Sequence, residues 1–419
     1  MNYKEWREVK LGDICEVKGG KRLPKGINLV KQKNSHPYIR IRDMYQHKNL
    51  EINEEFEYVD DDTFEKIKRY IVNSGDVIVA IVGNTIGLVS KVGKSLDNAS
   101  LTENCVKLIN LNACISDFLY YHLISKNGQG EIKKGIVGTS QPKLPIYNVQ
   151  NIAINLPSVN EQKSIVAILS CLDDKIELNN HINKNIEEIA LAIFKSWFVD
   201  FEPFQEGEFE DSELGRMPKG WGVGKLGDSP ITKLITPGIG IFEGEKIYLA
   251  TADVENTNIK NDSTKVTMNN KPSRANMQPK VSSVWFAKMK DSRKLLYVDS
   301  FSKELLNDYI FSTGFAGITC LKDSLYYIWC ILLSENFDVL KNSLCNGTTM
   351  EAINNENINR INIFIPDEKT LKIFNDMMIP IFHQFYDNKQ QNSLLTTIRD
   401  SLLPKLLSGE IRVPIEEVR

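Results

Sequence analysis

The sequence predicts an α+β protein: two β-rich globular domains, each followed by a long helix, with the two helices packed as an antiparallel coiled coil. Three observations predict it. Segment 6–13, Trp-Arg-Glu-Val-Lys-Leu-Gly-Asp, returns at 221–228 as Trp-Gly-Val-Gly-Lys-Leu-Gly-Asp. A second match opens at Gly138-Thr139 and Gly347-Thr348 and closes at Leu156-Pro157 and Ile365-Pro366, with an offset of 209 residues at both ends. An apolar seam of coiled-coil spacing then follows each match. Such a repeat far exceeds the roughly 20–50 residues of a solenoid unit. It means two copies of one domain-plus-helix module.

The first domain is placed at 1–157. Strand-like runs lie at 38–42, 76–82 and 106–109, separated by turn signals such as Asn73-Ser-Gly-Asp76 and Gly83-Asn84. Phe118, Leu119, His122 and Leu123 recur at helical spacing and predict a helix over 116–125. The first long helix, 158–200, opens with the capping-box pattern Ser158-Val-Asn-Glu161. Its seam runs through Ile165, Leu169, Leu172, Ile176, Asn179, Asn183, Ile186, Ala190, Ile193 and Trp197 in strict 4-3 spacing. Residues 201–220 are acidic and rich in Gly and Pro, and read as an ordered turn region between modules.

The second domain, 221–366, repeats the outline, with strands at 246–250 and 284–289 and a helix at 324–333. The second long helix and tail occupy 367–419. Its seam is Phe374, Met378, Ile381, Phe385, Asn388, Asn392, Leu395, Arg399, Leu402 and Leu406. Pro380 and Pro404 each lack an amide donor and are expected to kink or interrupt it. Both copies place two asparagines at the same two seam positions. Asparagine there weakens the seam but fixes its register, because only a matched polar position satisfies the amide. The alternative is chance in an Asn-rich chain. On the register reading, changing Asn179 and Asn388 together to leucine raises stability and degrades spacing.

Composition narrows the function. The chain has 419 residues, 42% hydrophobic and 25% charged, as in an ordinary globular protein. No apolar stretch is long enough to span a bilayer and no apolar signal region opens the chain, so no membrane role and a cytoplasmic location are expected. Seven scattered cysteines without C-x-x-C support neither zinc nor disulfides. Net charge is −3 overall, +4 over 1–157 (22 Lys+Arg against 18 Asp+Glu) and +1 over 221–366 (16 against 15). Neither domain holds a polyanion by charge alone. Catalytic motifs are missing too. There is no Pro-Pro for an amino-methyltransferase signature and no H-E-x-x-H. Gly93-Lys94-Ser95 lacks the upstream glycine spacing of a P-loop and reads as a hairpin turn. Gly238-Ile-Gly240 and Glu243-Gly-Glu245-Lys246 are short patterns that arise by chance. No catalytic residue and no metal site is therefore assigned.

The ordered set of motifs resembles the specificity (S) subunit of type I restriction-modification systems. The pieces are 6–13, 19–25 (Gly-Gly-Lys-Arg-Leu-Pro-Lys), 38–43 (Tyr-Ile-Arg-Ile-Arg-Asp), 75–80, 138–141 (Gly-Thr-Ser-Gln), 151–157 with Asn160-Glu-Gln162, 211–221 and 402–413. The resemblance implies two target-recognition domains that each read half of a split DNA site, with the helices setting the gap. It implies no catalysis in this chain. Its partners would be double-stranded DNA, two modification subunits that carry S-adenosylmethionine and methylate adenine N6, and, where a system includes them, two restriction subunits driven by ATP with Mg. No cofactor is expected in this chain. The second domain departs from the pattern, with Gly347-Thr-Thr-Met350 for Gly-Thr-Ser-Gln and no Lys-Arg-Leu-Pro after Asp228.

Candidate DNA contacts in the first domain are Lys21, Arg22, Arg40, Arg42, Thr139, Ser140, Gln141 and Lys143. In the second they are Lys271, Arg274, Lys288, Lys290, Arg293, Lys294, Thr348 and Thr349. Arg and Lys suit guanine edges or phosphates, Gln suits adenine, and Ser and Thr suit either. Taken singly, each charge is equally a solvated surface group. Trp285 and Phe286 beside the basic run 288–294 fit a core better than a stacking platform. Exposed acids near Asp173, Asp174, Glu187 and Glu188 are the candidate face for modification subunits. Two other readings stand beside this one. A coiled-coil adaptor without DNA readout explains the helices but not the duplicated domains, and an autonomous methyltransferase or nuclease lacks its motif.

Overall fold

The computed structural model describes residues 6–44, 48–347 and 350–414. The chain forms two compact units. One is built from the chain up to Ile176 together with the segment from Ser393 onward, the other from Glu177–Asn392.

In the first unit, strand Arg7–Lys10 pairs antiparallel with Ala153–Leu156, so the chain enters and leaves the domain through neighbouring strands. Between them lies a five-stranded sheet ordered Glu16–Gly19, Cys105–Ile109, Val77–Ala80, Val89–Val92, Asn49–Leu50. A second sheet is ordered Tyr38–Ile39, Ala99–Leu101, Ile71–Val72, its first pair parallel. Val77, Val79, Val106 and Leu108 face helix Ser116–Ile124, whose Phe118, Leu119, Tyr121 and Leu123 are buried in the same core.

The second unit repeats this plan. Gly222–Lys225 pairs with Asn362–Ile365. The larger sheet is ordered Asp228–Ser229, Thr232–Leu234, Phe315–Cys320, Ser283–Ala287, Leu295–Val298. The smaller is ordered Lys265–Val266, Lys246–Leu249, Tyr309–Ser312, Ala275–Met277, and here the parallel pair is the central one. Helices Leu325–Leu333 and Glu335–Ser343 lie 209 residues after Ser116–Ile124 and Lys126–Lys134.

The repeated Trp-x-x-x-Lys-Leu-Gly-Asp motif is the clamp that closes each domain. Trp6 Nε1 donates to Glu161 Oε2 at 3.1 Å, and Trp221 hydrogen-bonds Asp367, so each tryptophan holds the start of the long helix that follows. Lys10 and Lys225 donate to the Asn151 and Asn362 side chains at 2.9 and 2.5 Å. Leu11 and Leu226 are fully buried. A Cβ at Gly227 would lie 2.1 Å from Asn359 Oδ1 and 2.8 Å from Leu234 Cδ1, so a larger residue there would have to push both side chains aside.

The two long helices span Val159–Phe198 and Glu368–Ser408 and run antiparallel within each unit. In the first unit Glu161 pairs with Arg412, and Asp173 with Arg399. In the second, Asn179 Nδ2 donates to Asn392 Oδ1 at 2.9 Å and to Gln391 Oε1 at 2.8 Å. Asn388 Nδ2 donates to Asn183 Oδ1 at 2.8 Å. The seam asparagines thus pair crosswise, 179 with 392 and 183 with 388, although the buried Asn179 Oδ1 accepts no hydrogen bond among the described residues.

Four expectations need correction. The run 38–42 is a two-residue strand that turns into the 3-10 turn Ile41–Met44, because the Asp43 carboxylate accepts from Arg40 N at 2.7 Å and bends the backbone. Asp253 does the same at Ala250 N, 2.8 Å, and ends the second copy's strand. Only half of the capping box forms: Glu161 N donates to Ser158 Oγ at 3.3 Å, while the Glu161 carboxylate turns to Trp6 and Arg412. The second long helix is continuous through both prolines, so neither interrupts it. The strict 4-3 seam also slips near one end. Phe194, Phe198 and Phe382 are buried where Ile193, Trp197 and Ile381 were expected. They pack on Tyr326 and Tyr327 of the domain's own helix, and this second contact draws the seam round by one position.

Candidate nucleic-acid interface

In the first domain the candidates gather around the 102–104 turn, which joins the two sheets. Lys21 and Arg22 run beside it: Gly20 N donates to Cys105 O at 3.0 Å and Lys21 N to Leu101 O at 2.8 Å. A Cβ at Gly20 would lie 2.0 Å from Thr102 O, so only glycine permits this approach. Both basic side chains are exposed. Arg22 Nε donates to Glu103 at 2.6 Å, and the Lys21 ammonium lies 5.5 Å from the Tyr70 ring centre. Residues 137–143 form a loop closed by the Val137–Lys143 bridge and joined to the hairpin tip by Val82–Lys143. Ile81 N donates to Asn104 O at 2.9 Å, so this loop borders the same turn. Thr139, Ser140, Gln141 and Lys143 are exposed on it. Gly138 takes φ +81°, the left-handed conformation that turns the loop outward.

Arg40 and Arg42 are nearby, since Ile39 O accepts from Thr102 N at 3.1 Å. Arg40 is nevertheless not a free donor. It grips Asp43 at 3.0 and 2.9 Å and also pairs with Glu57, and its side chain is only 16% exposed. It buttresses the 3-10 turn. Arg42 is exposed and shares Glu57 at 3.0 Å.

The second domain places its candidates at the corresponding turn, 313–314. Lys288 N donates to Gly314 O and Thr313 N to Arg274 O, both at 2.9 Å. The loop 346–352 mirrors 137–143: Asn346 bridges Ala352, and Met289 bridges Ala352. Arg274 is exposed. The basic run is less available than its sequence suggests. Lys290 pairs with Glu351, and Arg293 with Asp338 and with Leu333 O at 2.6 Å. Lys294 donates to Thr251 O at 2.6 Å, and Lys271 to Ala275 O at 3.1 Å. Burial pushes the Lys288 ammonium below its usual range. A β-hairpin folds these cations back onto its neighbours, which the linear run could not reveal. Trp285 and Phe286 are fully buried core residues. Thr348 and Thr349 lie outside the described residues.

The acidic picks on the first long helix divide. Asp174 and Glu188 are exposed. Asp173 accepts from Tyr121 Oη at 2.6 Å and from Arg399 at 2.9 Å, and Glu187 accepts from Thr257 Oγ1 at 3.0 Å. These two serve internal contacts, not an exposed face. The Gly93-Lys94-Ser95 turn is occupied by protein: Lys94 N and Ser95 N donate to the Glu51 carboxylate at 3.1 and 2.9 Å. Among the described residues, no cluster of His, Cys, Asp or Glu is arranged to hold a metal. Nor is any helix among them long and apolar enough to cross a membrane.

The family model described as the type I restriction modification DNA specificity domain matches residues 3–188. The type I restriction enzyme MjaIX specificity subunit of Methanocaldococcus jannaschii is 28% identical over 98% of this chain and 94% of its own length. The HindI specificity subunit of Haemophilus influenzae is 25% identical over 97% and 100%. Over nearly its whole length the chain is similar to specificity subunits of type I restriction-modification systems. Both relatives are named as specificity subunits of type I restriction enzymes. The fold agrees. The crystal structure of the S subunit from M. genitalium superposes with a TM-score of 0.56 at 16% identity, over 97% of this chain and 96% of that one.

One segment at the same end of the second domain was not singled out from the sequence. Residues 236–245 connect Thr232–Leu234 to Lys246–Leu249, the place that the Lys-Arg-Leu-Pro segment occupies in the first domain. They carry Ile241, 91% exposed, and hydrogen-bond beside Arg274 through Gly238 N to Asn276 O at 2.8 Å. Three glycines within 238–244 and no basic residue were the available signal.

Proposed function

We propose that this specificity subunit reads a two-part, asymmetric DNA site, one part with each domain, and carries modification subunits on its paired helices. One observation supports the reading most. The same end of a duplicated fold bears different side chains in its two copies: Lys21, Arg22 and 139–141 in one, Arg274, Ile241 and 350–352 in the other. Equal scaffolds with unequal tips suit two unequal half-sites. The near-neutral charge makes affinity depend on partners that clamp phosphate. Those partners are two modification subunits, which would carry S-adenosylmethionine and methylate adenine N6. Restriction subunits, where the system has them, would add ATP and Mg chemistry. Assembly in the cytoplasm follows from that role. The test is single-molecule methylation sequencing of DNA from cells making this chain with its modification subunits, and from cells lacking this chain only. Loss of N6-methyladenine at one split motif is the expected result. Unchanged methylation would overturn the reading in favour of a helical adaptor.

A further inference from the structure

A charged group sits inside the second unit where the helix pair meets the recognition domain. Lys389, on the second long helix, donates from Nζ to Thr257 O at 2.6 Å and lies 4.4 Å from the Phe385 ring centre. Thr257 Oγ1 donates to Glu187 of the first long helix at 3.0 Å. One threonine is therefore held by both helices, through its carbonyl and its hydroxyl. Its neighbour Asn256 continues the chain of contacts: Asn256 N donates to Arg293 O at 3.1 Å, and Leu295 N to Asn256 O at 2.8 Å. Residues 293–295 are the returning limb of the hairpin that carries Lys288, Lys290, Arg293 and Lys294. Arg293 also faces Glu187 electrostatically. Asn256 takes φ +48°, a left-handed turn conformation that asparagine adopts more readily than most side chains.

The seam already has apolar and asparagine contacts to hold the helices together, so these charges are not needed for that. Partly buried charges of opposite sign, here bridged by Thr257 and not in direct contact, are weak evidence for stability, and apolar replacements of similar volume often do as well or better. What they supply is geometry, because a charge in low dielectric tolerates only one arrangement of partners. We propose that Lys389 and Glu187 are positioning residues for DNA readout by the second domain, fixing the 288–294 hairpin on the helix pair through Thr257 and Asn256. This rests on the reading of the chain as a two-site DNA specificity subunit.

The test uses the full chain assembled with its modification subunits and a pool of random DNA duplexes. Bound duplexes are sequenced, and the enrichment at each half-site is compared. Lys389→Met is expected to keep the thermal midpoint of wild type or raise it. It is also expected to weaken base discrimination at the second half-site by about tenfold and leave the first unchanged. Lys389→Arg, which keeps the charge, should restore much of the loss. Wild-type discrimination at the second half-site in Lys389→Met would overturn this inference alone. A wild-type complex with no discrimination at either half-site would overturn the parent reading, and this one with it. If Lys389→Met does not fold, Glu187→Gln, which keeps shape and hydrogen bonding, gives the same comparison.

Discussion

The seam asparagines allow a prediction with a definite sign. Asn388 is 4% exposed and Asn183 is 7%, and their amides meet at 2.8 Å. Asn183→Leu alone leaves Asn388 Nδ2 buried without its acceptor, at about 1–3 kcal/mol. Leucine burial regains part of this, so each single variant should lose about 1–2 kcal/mol. The double variant Asn183→Leu, Asn388→Leu leaves neither amide and buries two leucines. It should match wild type or exceed it by about 1–2 kcal/mol, with a coupling of about 3 kcal/mol between the sites. For a unit of this size, 1 kcal/mol moves the thermal midpoint by about 2–4 °C. Calorimetry on the four chains reads the cycle directly. For the combination suggested by sequence, Asn179 with Asn388, the pairing predicts the opposite sign: it removes one donor from each pair, the Asn179 amide from Asn392 Oδ1 and the Asn388 amide from Asn183 Oδ1, and should destabilise. Additive losses in the 183/388 cycle, or a double variant less stable than either single one, would refute the reasoning.

Other outcomes follow from the same geometry. Asp173→Ala removes the acceptor shared by Tyr121 and Arg399 and should cost about 3 kcal/mol in denaturant unfolding; a loss near zero would show that the Tyr121–Asp173–Arg399 chain is dispensable. Burial holds the His122 imidazole down at about 4, with its Nε2 3.1 Å from Ala153 O. The unfolded chain takes up this proton first, so the stability it contributes is intact above about pH 6.5 and declines as pH falls towards 4. The loss totals about 3 kcal/mol, and an acid-unfolding series on wild type and His122→Gln should show the slope only in wild type. In the assembled complex, Lys21→Ala should weaken all duplexes alike and lower the salt slope by about one, while Gln141→Ala should relax one base pair by about 1–3 kcal/mol. Affinity measured at several salt concentrations on matched and single-mismatch duplexes separates the two.

The duplicated scaffold was legible because its signals are local. Helical and heptad spacing survive in the chain whatever the tertiary structure, and the 209-residue offset carries through from helix Ser116–Ile124 to the second long helix. The seam slip was not legible, because Phe194 and Phe198 are chosen over Ile193 and Trp197 by partners more than a hundred residues away. The same limit applies to the candidate site. Lys21, Arg22 and Gln141 stay exposed because they sit on loops. Arg40, Arg293 and Lys294 are claimed by carboxylates and carbonyls that a linear reading cannot place beside them.

The strand pair at the foot of each domain has a consequence for inheritance. Arg7 faces Leu156 and Gly222 faces Ile365, so the two ends of each domain leave side by side. The tryptophan and lysine of the clamp bond to partners within the same closing segment. Each domain is thus a cassette with both ends at one doorway, and its tips can lengthen, shorten or change chemistry without moving that doorway. A gene conversion that exchanged one cassette at these strands would, on the proposed function, deliver a new half of the recognised word while the rest of the chain kept its fold.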